Sequence, residues 1–492
     1  MNFMLQFLLI TPVLACLAII IGAPAKRTAL FSSLIGLIST VALAWGFDAE
    51  AEAFQFITKI PVAEHQDLFT LHFHLGIDGM SLAMLLLTSV VTLSAVCISP
   101  EDIKRGKLFY ICLLLVSLGA VGAFVSLDLF FLYAFHAVAL IPTFLLIGIW
   151  GTHDRKFAAT QMTIYLMAGS LVLLAGLLAF YFYLPEPTFD LVEIQEMLQG
   201  DSFTAEQQSV IYPLLLIGFG ILIALFPFHS WAPRGYATSP AACVMLHAGV
   251  LKQFGFYGLI RLAVPYLPDG IAQYLPLLLV LLLCNLIYIG FLTLTQKDLN
   301  LMLAFSSVMH MGYLFLGLAG MNAVSINGMV LLMVAHGLST ALLFGLAAEI
   351  RERAGTLHFA ELGGMASKAP WLAFLFIAGG MASMGLPGLG NFAGEVMIYF
   401  GAWKGAEHHP ILYIVIILAA WGLVISAIYM LRAIKTVCYG SLSDSLRETE
   451  DFKDFAQAFP FLLLLAGLLL TGLCPWILSN WMKPVLVGLG LE

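Results

Sequence analysis

Seven ionisable side chains lie within long apolar stretches of this chain: His136, His229, His247, Lys252, His310, His336 and Glu395. An ionisable group in hydrocarbon costs about 3 kcal/mol or more, so each calls for a partner, a wet cavity or a function. Lys252, in HAGVLKQFGFYGLIRL, lies about twelve residues into its stretch, too deep for its four-carbon stem to reach an interface comfortably. A desolvated lysine can serve as a proton-exchanging group; the plainer alternative is a snorkelling side chain that fills a helix contact. Glu395, in GNFAGEV, follows a Pro/Gly break by eight residues, which suits a carboxylate that relays a proton, forms an ion pair or caps a helix. His336 is flanked by small residues in LMVAHGLSTALLF, and imidazole ordinarily titrates between pH 5 and 8. His229, near a break, and His310, near a span end in SSVMHMGY, read equally as relay members or as packed side chains. His247 precedes Lys252 by five positions, off the same helical face but within reach of a shared wet axis. The chemistry common to these residue types is reversible proton uptake.

The elements that position them must cross a membrane. The 492 residues include only 21 Lys plus Arg and 29 Asp plus Glu, with 61% hydrophobic and 10% charged residues; mean hydropathy is +0.99. Soluble domains are near a quarter charged, so the composition excludes nucleic-acid binding and cytosolic catalysis and predicts an all-α polytopic membrane protein. At about 20 apolar residues per crossing, fourteen spans are predicted: 3–22, 28–46, 78–98, 108–127, 128–150, 160–184, 210–227, 240–264, 272–295, 300–321, 325–349, 371–402, 410–434 and 459–481. The first of these lacks a basic leader and a small-residue cleavage site, so it reads as a retained helix.

Lys and Arg are retained on the cytoplasmic side during insertion, and sixteen of the twenty-one fall in connections after odd-numbered spans. Both termini are therefore expected outside, in a bacterial inner membrane. The segments Phe47 to Ile77 and Pro185 to Ser209 become external loops. His65, His72 and His74 lie in the first of these, spaced poorly for a metal and assigned to a solvated or subunit-facing surface.

Proline within a span opens the hydrogen-bond ladder and is tolerated at membrane depth where protein or a wet cavity satisfies the freed groups. Two spans are predicted to be broken: the seventh, with Pro227, Pro233 and Pro240, and the twelfth, with Pro387 among Gly385, Gly388, Gly390 and Gly394. Breaks at matching places in two halves point to an inverted repeat. The division expected is 1–107 for the first three helices and an external loop, 108–264 and 265–435 for two five-helix units, and 436–492 for the last helix. Cys16, Cys97, Cys112, Cys243, Cys284, Cys438 and Cys474 form no CxxC pair and read as small apolar residues. No nucleotide, flavin, haem or iron–sulfur motif is present, so neither a cofactor nor a metal is expected in this chain.

Several stretches carry a family likeness: GIDGMSLAMLLLT at 76–88, LIPTFLLIGIWG at 140–151, PFHSWAPRGYATSPAA at 227–242, AFSSVMHMGYLFLG at 304–317, VAHGLSTALLF at 334–344 and LPGLGNFAGE at 386–395. Over nearly its whole length the chain resembles the antiporter-like membrane subunits of proton-pumping NADH:quinone oxidoreductase, complex I. The resemblance implies fourteen helices, two inverted five-helix repeats and a midplane proton path that includes Lys252, His336 and Glu395. It also implies partnership with other membrane-arm subunits, in contact with lipid, water and protons, and electron transfer housed elsewhere in the complex.

The sequence departs from that pattern at three working positions. Ala137 stands where the family has an intramembrane Glu, Leu222 where it has a Lys, and Asn300 where it has another Lys. Losing Glu and Lys together avoids leaving one buried charge unpaired. His136, adjacent to the missing Glu, is then expected to supply a proton site in its place, or the N-terminal half-channel has lost its relay. Two further readings stay open: a subunit of a multi-chain cation/proton antiporter, and a non-pumping spacer between pump subunits.

Overall fold

A computed structural model describes residues 4–51, 53–65, 69–152, 154–198 and 203–491. Thirteen helices among them are long and apolar enough to cross a membrane. They are α1 (Met4–Ile21), α2 (Ala25–Trp45), α3 (Gly79–Ile98), α4 (Gly106–Val125), α5 (Leu129–Trp150), α6 (Arg155–Tyr183) and, past the short α7 (Leu191–Leu198), α8 (Ala205–Ile223). After the short α9 (Trp231–Thr238) come α10 (Ala241–Tyr266), α11 (Pro268–Thr295), α12 (Leu299–Gly320) and α13 (Ala323–Ala354). A fourteenth crossing is split into α14 (Pro370–Ser383) and α15 (Gly390–Gly405), followed by α16 (Ile411–Cys438), α17 (Phe455–Leu473) and α18 (Trp476–Gly488).

Both predicted breaks are present. The seventh crossing stops at Ile223 and resumes as α9, so it reaches Thr238, beyond the expected end at 227. Its freed backbone is satisfied by Asn285 of α11, which accepts from the Phe226 N–H at 2.7 Å and donates to the Ala224 and Val308 carbonyls at 3.4 and 3.0 Å. The last crossing is shorter than the expected 459–481: α17 ends at Leu473 and the chain turns at Pro475 into α18. Proline sets its own φ and cannot donate, which stops the helix there.

The repeat is visible in two clasps. Asp128 caps α5, and Leu129 N–H and Leu127 C=O bond Phe189 and Leu191 at 2.8 Å. Asp298 caps α12, and Leu299 N–H and Lys297 C=O bond Leu357 and Phe359 at 3.0 Å. The capping aspartates are 170 residues apart and their bridge partners, Asp190 and His358, 168. Five crossings separate the clasps, so they lie on opposite faces, as an inverted repeat requires.

The first clasp also anchors structure that hydropathy does not reveal. The segment expected as a loop is a hairpin, β1 (Gln55–His65) paired antiparallel with β2 (Phe69–Ile77). His74 is buried, contrary to the solvated surface expected for it, because its Nδ1 lies 2.8 Å from Asp190. The Lys59 ammonium bridges Asp190 at 2.8 Å and Glu193 at 2.7 Å. The His65 side chain and Asp201 lie outside the described residues. Burial alone would raise the Asp190 carboxyl, but hydrogen bonds from His74 and Lys59 hold it down at about 2. A carboxyl depressed on folding stabilises above its unfolded value of about 3.9, and that contribution fades as pH falls toward 2. Replacing Asp190 with Asn is therefore expected to loosen the hairpin at neutral pH, raising limited proteolysis within residues 47–77 several-fold, where the native chain stays resistant.

Candidate functional site

Two helices, α10 and α13, are enclosed along their whole apolar stretch. They pack backbone to backbone at Gly249 and Gly337: a Cβ at Gly337 would sit 2.5 Å from the Gly249 carbonyl oxygen. This close approach lies one turn or less from Lys252 and His336 and brings their helices within side-chain reach, a packing mode that small residues permit in membranes. Lys252 is 1% exposed, His336 3% and Glu395 4%.

The Lys252 ammonium donates to the Ser307 carbonyl at 3.0 Å and meets its hydroxyl at 3.1 Å. That hydroxyl lies 3.3 Å from His336 Nε2, which Thr340 Oγ1 also approaches at 3.2 Å. His310 stacks on His336 with ring centroids 5.3 Å apart. The structure thus joins two of the predicted residues through Ser307, which the sequence does not single out, and stacks a third, His310, on His336. Among the described residues no carboxylate pairs with Lys252, whereas Arg261, on the same helix, is held by both Asp78 oxygens, one at 2.9 Å. Arg261 is buried within α10, and its spacing from Tyr257 and Gln253, four and eight residues earlier, was the available signal.

A π-helical turn spans His247–Leu251, closing on Lys252 N–H to His247 C=O at 3.0 Å. The extra residue in the turn rotates the two side chains toward one another, correcting the expectation of separate faces; such turns recur at functional sites. His247 Nδ1 lies 3.3 Å from the Tyr236 hydroxyl, and Lys252 sits 5.4 Å over the Tyr236 ring.

Glu395 lies in the first turns of α15 against the break. Its Oε2 occupies the space where a Cβ of Gly385 would be, 2.3 Å away, and Gly385 has a φ of +74°. Its Oε1 is buried without a protein partner among the described residues. Four residues earlier, Asn391 Nδ2 approaches Ser339 at 3.5 Å, linking α15 to the turn that carries His336.

The remaining histidines stand apart. His136 is buried and stacked 4.3 Å from Phe254, with neither ring nitrogen bonded to protein among the described residues. His229 is half-buried at the outward-facing break of the seventh crossing, stacked on Phe226.

Residues 126–423, more than half the chain, match the family described as NADH:quinone oxidoreductase/Mrp antiporter, TM. The chain belongs to this family. It is 33% identical over 427 residues to the NADH-quinone oxidoreductase subunit M of Rickettsia bellii, covering 87% of this chain and 83% of that one. It is 31% identical over 486 residues to the NAD(P)H-quinone oxidoreductase chain 4 of Gloeobacter violaceus, covering 98% and 91%. Its fold is similar to that of a chain in the respiratory complex I from Thermus thermophilus with bound NADH, with a TM-score of 0.85, 24% identity and 99% of each chain covered. Within this antiporter-like fold, Ala137 lines an apolar groove between α5 and α6 and Leu222 is buried, so neither position offers a polar group to the Lys252 chain.

The packing of Glu395 on Gly385 yields a graded expectation. Gly385→Ala adds a steric clash with the carboxylate to the backbone strain of positive φ, about 1–2 kcal/mol. Gly388→Ala incurs the strain, with its nearest neighbour 3.8 Å away. Proton pumping by the assembled complex should fall at least tenfold in the first variant and less in the second.

Proposed function

We propose that this chain is a proton-translocating membrane-arm subunit of a respiratory NADH:quinone oxidoreductase. It moves protons through a midplane relay of Lys252, His336 and Glu395 while electron transfer takes place elsewhere in the complex. The observation that carries this reading is the bonded sequence Lys252, Ser307, His336, with a lysine that has no carboxylate partner among the described residues. The Ser307 hydroxyl accepts a proton from the ammonium as it donates its own to His336 Nε2, leaving a neutral amine and an imidazolium; Thr340 is within reach of the same nitrogen. His310 and Glu395 extend the path toward the second break. His247, through Tyr236, and His136 lie on the other side of Lys252 as candidate entry groups.

The NADH-quinone oxidoreductase subunit M and NAD(P)H-quinone oxidoreductase chain 4 relatives, each more than 30% identical and matched over more than four-fifths of their length, favour this reading over a subunit of a multi-chain cation/proton antiporter. The basic residues concentrate on one face, supporting a bacterial inner-membrane location with that face cytoplasmic and both termini outside. Exposed apolar side chains along α1, α2 and α16 are suited to lipid and to neighbouring membrane-arm subunits.

Lys252→Ala and Glu395→Gln, each in an assembled complex reconstituted in vesicles, should reduce proton translocation at least tenfold. Normal pumping in both would identify a spacer and reject the relay.

A further inference from the structure

His310 has a hydrogen-bond count that a neutral ring cannot meet. Its Nδ1 lies 2.8 Å from the Ser306 carbonyl oxygen and its Nε2 2.9 Å from the Ser383 carbonyl oxygen. Both partners are acceptors only. Neutral imidazole has one N–H, so one contact would set lone pair against lone pair, whereas imidazolium donates to both.

The second acceptor has a particular place in the fold. Ser383 is the last residue of α14, so Nε2 meets a carbonyl at the C-terminal end of a half-helix. Orphan carbonyls and the helix dipole favour a cation there, which offsets part of the cost of burying one. Two residues further on, Gly385 forms the wall against which the Glu395 carboxylate rests.

Resting on the relay reading above, we propose that His310 is a positioning residue for Glu395. Doubly protonated, it clamps the end of α14 and fixes the break at residues 384–389 around the carboxylate; on losing a proton it gives up one carbonyl, and the break loosens. Gating of Glu395 is thereby tied to the charge on His310.

The surroundings are consistent with a group that changes state. From α10, Lys252 carries like charge. From α13, His336 stacks at 5.3 Å. On its own helix, Tyr313 lies 5.7 Å away, and Ser306 bonds the Tyr429 hydroxyl of α16 at 2.6 Å. α14 presents the Ser383 carbonyl, and α15 presents Glu395 and Tyr399 across the break. A cation on His310 repels one on Lys252 or on the stacked His336, so charge moving along the relay weakens the clamp.

Amide hydrogen exchange in the assembled complex tests this without reference to pumping. Protection factors of the Met384, Gly385, Leu386, Gly388 and Leu389 amides, corrected for intrinsic exchange, are compared at pH 6 and pH 9. The wild type should lose protection at least tenfold at the higher pH, and His310→Gln, which keeps a donor but does not titrate, should show a flat profile. Equal wild-type protection at both pH values overturns the proposal, whether or not the variant assembles, as does a pH dependence that survives in His310→Gln. Loss of pumping in the Lys252 and Glu395 variants alongside such a result would leave the relay standing and remove only the clamp.

Discussion

A lysine ammonium buried in a protein interior with no carboxylate beside it among the described residues is the constraint on which this structure turns. Desolvation makes such a charge costly, and a fixed counter-ion would hold it permanently. Lys252 has instead a carbonyl, a hydroxyl and an aromatic face. Arg261, nine residues along the same helix, shows the other solution, a bidentate ion pair with Asp78 that stays charged. One helix thus carries one cation locked by a carboxylate and another held by neutral groups alone among the described residues. Enclosing α10 and α13, and bringing their backbones together at Gly249 and Gly337, keeps the second one buried and a single hydroxyl away from His336.

The two broken crossings serve this constraint differently. In the seventh, Asn285 satisfies the freed backbone from a neighbouring helix, and the break turns partly outward with His229. Beside it Leu222 is buried, and Ala137 lines an apolar groove between α5 and α6. In the twelfth, the break faces inward: His310 reaches the end of α14, and Glu395, on α15, packs against Gly385. The repeat supplies two similar frames, and the buried ionisable groups span both, with His247 and Lys252 in the first unit and His310, His336 and Glu395 in the second.

Much of this was legible in the sequence. Apolar runs of bilayer length gave the crossings, Pro227 and Pro387 marked the breaks, and Lys252, His336 and Glu395 stood out because charge is rare at that depth. What stayed hidden depends on packing. Ser307 could not be singled out, since a serine in a membrane helix most often bonds its own backbone. The π turn after His247 changes which side chains share a face, and no residue pattern announces it. The hairpin and the Asp190 cluster lie in a polar segment whose order comes from Lys59 and His74, far away in sequence. Arg261 read as a boundary residue because its partner, Asp78, is 183 positions distant.

Arginine in place of lysine separates a mobile proton from a mere positive charge, because guanidinium stays protonated under all physiological conditions. The proton-to-electron ratio of the vesicle-reconstituted complex carrying Lys252→Arg is therefore the most direct measurement. The account predicts a ratio reduced as far as when the charge is removed altogether. A ratio equal to that of the unaltered complex would show that position 252 needs only a cation, and would contradict it.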